Sequence, residues 1–195
     1  MPAHLDKRVQ RTKADFKETL LRLLIHKPFH RISISELVRE ARYNRGTFYA
    51  HYNAKEDLLQ ELCKDTLQEL IVQIRQPYQS STRVNMKELP TENITLFAYI
   101  KAHAELYRLL LSDHVQTDFR HQMVRYIERL FVEEYEYELD EGMTVNPKWL
   151  YIYRAHGVAG LVIRWIEDDF PDSPQYMNEQ IVALMLSSPE VFRVK

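Results

Sequence analysis

The chain has 195 residues with 4 Gly and 8 Pro, 45% of them hydrophobic. That is enough for one or two modest domains with buried cores. A single cysteine, Cys63, excludes an intrachain disulfide, and no apolar run approaches the ~20 residues that cross a bilayer. The net charge of -2 conceals an asymmetry: residues 1–57 carry 12 Lys/Arg against 7 Asp/Glu, the remainder 14 against 21. A basic front on an acidic body points to a polyanion at one end of the protein, although ordinary surface charge produces the same imbalance. The polar, charged stretch Met1–Arg11 lacks the apolar core of a secretory signal, so a reducing cytoplasm is expected.

Apolar residues at spacings of three and four run along most of the chain, which predicts an all-α protein. The first helix is expected over Thr12–Ile25, with Phe16, Leu20, Leu23 and Leu24 on one face and Pro28 beyond its end. Ser33 and Glu36 form a capping-box pair, opening a second helix over Ile34–Ala41 that buries Leu37 and Val38. After the link Arg42-Tyr43, Asn44 caps a short third helix, Arg45–His51. Only Phe48, helped by Tyr52, is suited to pack inward from it. Asn53 and Glu56 repeat the capping arrangement before a long helix to Arg75.

Pro77–Pro90 is polar and reads as a connection. Further helices are expected over Thr91–Ser112, Val115–Glu138, Pro147–Asp169 and Pro174–Leu186. Asn146-Pro147 and Ser173-Pro174 supply start signals for the last two. Residues 1–57 thus form a helix-turn-helix head, and 58–195 a helical body reached through a connecting helix, 58–76. The acidic run Glu133, Glu134, Glu136, Glu138, Asp140 and Glu141 reads as a solvated face rather than a metal site.

Two short helices with a tight link have the dimensions of a helix-turn-helix whose second helix enters the major groove. The residue types suit that task. Arg45 can fork onto guanine or phosphate, Gly46 lets backbone approach the duplex, and Thr47 offers a hydroxyl or methyl to a base edge. Tyr49 and His51 can hydrogen-bond phosphates, and Lys55, in the first turn of the next helix, can join the backbone N–H groups there in holding another. Arg42, Tyr43 and Asn44, in the turn, complete the candidate DNA-contacting set. A core role is the alternative for Tyr49.

Ile34-Ser-Glu-Leu-Val-x-Glu-Ala41, Arg45-Gly-Thr-Phe-Tyr-x-His-Tyr52 and Lys55-Glu-Asp-Leu-Leu59 resemble the TetR family of bacterial regulators. The resemblance spans about residues 9–60. Arg42 departs from it, standing where the family often has a turn glycine, and Tyr43 stands where a small aliphatic is usual. The resemblance implies a homodimer that places two recognition helices in successive major grooves of a pseudo-palindrome, with the last two helices pairing across the dyad. The stretch Gly160–Phe170, with Ser173-Pro174 and Met177, is similar to the branch of the family that includes the dihydroxyacetone kinase regulator.

In the body, Gly157 and Gly160 allow close helix approach beside Leu161, Arg164 and Trp165, with Ile181, Leu184 and Met185 opposite. These eight are the candidate dimer interface, although an intrachain core would show the same pattern. Tyr99, His103, Tyr107, Phe119, Met123, Tyr126, Trp149, Tyr153 and His156 are candidates to line an effector cavity, although Tyr and Met at helical spacing are most often core. No metal-ligand spacing, phosphate-cradling glycine loop or nucleophile elbow is present, so no catalysis, metal or cofactor is expected. The expected function is a TetR-type regulator, a repressor acting on operator DNA as a homodimer under control of a small molecule. The alternative is a TetR-like coactivator or adaptor working through a protein partner.

Overall fold

The computed structural model describes residues 2–79, 81–115, 117–138 and 144–187, with side chains from Lys7 onward. Its described residues contain helices and connections and no strand. In chain order the α-helices are α1 (Pro2–His26), α2 (Ile34–Glu40), α3 (Arg45–Tyr49), α4 (Lys55–Arg75), α5 (Leu96–Ala102), α6 (Ala104–Leu111), α7 (Phe119–Glu134), α8 (Pro147–Glu167) and α9 (Pro174–Leu186). Single 3-10 turns occupy Phe29–Arg31, Gln76–Tyr78 and Thr91–Asn93.

The start signals act as expected at α2, α3, α8 and α9. Ser33, Asn44, Asn146 and Ser173 each accept a backbone N–H through the side chain. At α4 a different residue does this: Asp57, not Glu56, accepts the N–H groups of Asn53 and Ala54, at 2.9 and 3.1 Å. Elsewhere the boundaries shift. α1 begins ten residues earlier than the apolar spacing alone suggests, since a helix persists through polar sequence without any apolar face to bury. The expected helix over Thr91–Ser112 is a 3-10 turn followed by α5 and α6, separated at His103 (φ -110°, ψ 29°), whose Nδ1 lies 2.9 Å from the Tyr99 carbonyl.

The chain divides into two compact units. One comprises the residues up to Thr66 together with Glu105–Phe119, the other Leu67–Ala104 together with the residues from Arg120 onward. In the first unit Phe16 sits at the centre of an aromatic cluster, its ring edge-on to Phe48 at 5.5 Å and to Tyr52 at 6.4 Å and tilted against Tyr43 at 5.1 Å. Leu20, Leu24, Ile32, Leu37, Leu58 and Leu62 fill the surrounding space, each buried side chain contributing about 1.5–3 kcal/mol. α6 from Glu105 onward and the segment after it belong to this unit, and there the Phe29 N–H donates to the His114 carbonyl at 2.9 Å. Cys63 is also in this core, and burial pushes its thiol up to about 11.

In the second unit α5 and α9 pack together. Asn178 is buried on α9 and donates to the carbonyls of Thr91 (3.0 Å) and Ile94 (2.8 Å), tying the turn before α5 to α9. Trp165 is edge-on to Phe97 and to Phe170, and its indole N–H donates to the Asp172 carbonyl at 3.1 Å. Phe97, Ile100, Met123, Ile127, Ala155, Val162 and Ile166 are buried in the same unit.

Candidate nucleic-acid interface

The helix pair α2–α3 is set by local hydrogen bonding on both sides of its turn. α2 ends in a Schellman motif: the N–H of Tyr43 donates to the Val38 carbonyl at 2.9 Å and that of Arg42 to the Arg39 carbonyl at 3.1 Å. The motif requires a left-handed residue after the cap, and Arg42 supplies it at φ 60°. The glycine-type conformation is therefore kept although the residue is arginine. On the other side, Asn44 Oδ1 accepts from the Thr47 backbone N–H at 2.8 Å and from its hydroxyl at 3.1 Å. A Cβ at Gly46 would stand 3.2 Å from that capping oxygen, which makes glycine the easiest residue there on intrachain grounds alone.

α3 has five residues and is held by its cap and by Phe48, which is fully buried. The side chains around Phe48 divide accordingly. Tyr49 is 53% exposed and has only a ring-edge contact to Phe48 at 5.6 Å, so the core role open to it in sequence is not the one it takes. Arg45 is exposed and its guanidinium reaches the Ser35 hydroxyl on α2. His51 is half-buried and Arg42 exposed. Tyr43 is committed elsewhere: its hydroxyl donates to Asp15 on α1 at 2.7 Å.

Lys55 departs most clearly from expectation. Its ammonium donates to the carbonyls of Phe29 (2.9 Å), His30 (3.3 Å) and Ile32 (2.7 Å), and it lies 4.6 Å from the Phe29 ring centre. The three donors of a lysine are thus used in closing the turn between α1 and α2 rather than offered to a phosphate. A lysine in the first turn of a helix has the same sequence signature in either role.

Several other cations of this unit are also neutralised internally. Lys13 and Lys17 both reach Glu61, at 2.8 and 2.6 Å, Lys17 also meets Asp65, and Lys27 meets Glu36. Burial alone would raise the Glu61 carboxyl and lower the Lys17 ammonium. The hydrogen bonds outweigh it, leaving Glu61 below and Lys17 above their ordinary values.

The candidate effector residues divide between the two units. In the first unit Tyr107 and Phe119 are fully buried, their rings 6.4 Å apart, and are core. In the second, Met123 is core, Tyr99 and Tyr126 are half-buried, and His103 is exposed at the helix break. Trp149 and Tyr153 are 64% and 77% exposed on α8, and His156, also exposed, pairs with Glu128 at 2.9 Å. The three α8 residues are corrected from cavity lining to outer surface. Their phase carries the missed signal: 149, 153, 156, 160 and 164 fall on one helical face.

Of the candidate interface residues, Gly157, Gly160 and Arg164 lie on that face of α8, with Leu184 on α9; Leu161, Ile181 and Met185 are half-buried. A Cβ at either glycine would meet nothing within 4 Å, so no neighbour among the described residues requires them to be small. Trp165 is corrected to core, being 3% exposed between Phe97 and Phe170. Among the described residues no group of three metal-ligating side chains is assembled, and no helix is long and apolar enough to span a membrane.

A family model described as bacterial regulatory proteins of the tetR family matches residues 18–62, and one described as a transcriptional regulator C-terminal region matches 88–187. The HTH-type transcriptional regulator YxbF of Bacillus subtilis (strain 168) is 26% identical over 167 residues, which is 75% of this chain but 44% of that protein. This chain therefore spans less than half the length of that relative. Similar solved structures include a putative TetR-family regulator from Syntrophomonas wolfei (TM-score 0.66, 19% identity, 90% of this chain and 93% of that one). A TetR regulator from Streptococcus agalactiae 2603V has a TM-score of 0.60 at 20% identity, covering 95% and 99%. The dihydroxyacetone kinase operon activator DhaS has 0.62 at 19%, covering 90% and 94%. With a helix-turn-helix head, a helical C-terminal domain and family models matched over both, the chain belongs to the TetR family of bacterial transcription regulators.

Proposed function

We propose that the protein binds a pseudo-palindromic operator as a homodimer through α3 and represses transcription by occupying it. The observation that carries this reading is the division of side chains on α3: Phe48 is locked in the core while Arg45 and Tyr49 stand exposed at the two ends of the short, capped helix. Exposed Arg45 suits guanine or phosphate, and the Tyr49 hydroxyl suits phosphate. The homodimer is supported by an exposed face of α8, where two glycines without packing neighbours share a helical face with Trp149 and Tyr153, and by the exposed Leu184 on α9. Two copies joined there would read half-sites separated by about one helical turn or a multiple of it.

Selection of genomic fragments by the purified protein, followed by affinity measurement, tests the reading. A palindromic motif should emerge, and Arg45→Ala should weaken binding to it by about 5- to 150-fold, the effect of losing about 1–3 kcal/mol of base contact. No motif, with Arg45→Ala binding as wild type, sinks it. A reporter behind the motif then gives the sign: under repression Arg45→Ala raises expression. A fall would mean activation, the role named for DhaS, and would favour action through a partner protein.

A further inference from the structure

The cations of the first unit differ in their partners, and Arg22, Arg31, Arg42, Arg45 and Lys64 have no ion pair among the described residues. Lys13, Lys17, Lys27 and Arg39 have carboxylate partners and Lys55 has three carbonyls. Lys7, Arg8 and Arg11, within the first three turns of α1, are exposed, and no described carboxylate lies within ion-pair distance of them. The acid beside them in sequence, Asp6, has its side chain outside the described set. The first turn of α1 contains no acidic residue. Like charges three and four residues apart, as in Arg8/Arg11 and Lys7/Arg11, add mutual repulsion. The three side chains are therefore free to meet an anion from outside.

Helical phase shows where these side chains are directed. Arg8, Arg11 and Asp15 are spaced i, i+3 and i+7 and share one face of α1. Asp15 on that face accepts the Tyr43 hydroxyl at 2.7 Å, and Tyr43 lies two residues before α3. At 1.5 Å per residue, Arg11 stands about 6 Å and Arg8 about 10 Å further along α1 from that anchor. Lys13 points to another face, towards Glu61 and the Tyr52 ring. These cations thus continue the side of α1 that carries the turn into the reading helix.

We propose that Lys7, Arg8 and Arg11 form a second contact with duplex DNA, a grip on backbone phosphates that adds affinity without reading sequence. It rests on the reading of α3 as the DNA-contacting helix. A guanidinium engages a phosphate through two parallel N–H donors, and such contacts position a protein without favouring any base.

The test uses the full-length protein with Lys7, Arg8 and Arg11 all changed to Gln, its thermal midpoint confirming the fold. Affinity for the selected operator and for a scrambled duplex is measured from 50 to 300 mM salt. Removing one cation–phosphate interaction lowers the slope of log affinity against log salt by about 0.9, so removing six from a dimer lowers it by about five. Both duplexes should weaken together, leaving the ratio between them unchanged, and Arg8→Lys/Arg11→Lys should retain the wild-type slope. A slope unchanged on both duplexes, or a collapse of the operator preference with the slope intact, overturns the proposal. If the wild type shows no operator preference, the reading of α3 fails instead, while the slope on scrambled duplex still reports on the three cations.

Discussion

Arg42 has φ 60°, in the left-handed region that costs a side-chain-bearing residue about 1–2 kcal/mol. The Schellman hydrogen bonds from Tyr43 to Val38 and from Arg42 to Arg39 hold it there. Relief of that cost exceeds the extra chain entropy that glycine loses on folding. Arg42→Gly should therefore raise the stability of the protein by about 0.5–1 kcal/mol in urea unfolding; a loss of stability would show that the arginine side chain contributes more than its backbone costs. That a turn falls here is legible from the sequence, because Asn44 and the ends of two apolar patterns bracket it. That an arginine adopts the conformation is not, since nothing in its side chain favours a positive φ.

α3 illustrates an element too short to be stable alone. A helix of five residues falls far below the dozen or so needed in isolation, so its cap, Phe48 and its neighbours hold it. Lys55 acts at the same level, joining the start of α4 to the carbonyls of the turn after α1. Lys55→Met keeps the stem and removes the donors, leaving those carbonyls without them. We expect a loss of about 1–3 kcal/mol in stability, read by thermal or urea unfolding, with the salt dependence of DNA binding unchanged. A weaker salt dependence at unchanged stability would restore a phosphate-binding role to this lysine. The division of α5 from α6 is the element the sequence conceals: Leu96, Phe97, Ile100, Tyr107 and Leu110 keep helical spacing through His103, and no proline or glycine marks the break.

At the scale of the whole molecule, α8 has two faces with different tasks. Ala155, Val158, Ala159, Val162, Trp165 and Ile166 face the core of their unit, while Trp149, Tyr153, Gly157 and Gly160 face outward. Changes on the two faces should therefore have different outcomes. Gly160→Leu should leave the monomer fold and its unfolding temperature near wild type but yield monomers by light scattering; a dimer of unchanged mass would displace the interface from this face. Trp165→Ala should cost about 3–5 kcal/mol by emptying the space between Phe97 and Phe170, and a destabilisation under 1 kcal/mol would contradict its core placement. Local chemistry, legible residue by residue, dictates an all-helical chain, its caps and turns, and the family resemblance of the head. Packing alone settles which of two similar aromatic residues is core and which is surface, and whether a lysine faces solvent or a carbonyl. Helical phase groups residues on a face, but what covers that face comes from elements distant in the chain, as the turn at Thr91–Asn93 meets Asn178 and α5 meets Trp165.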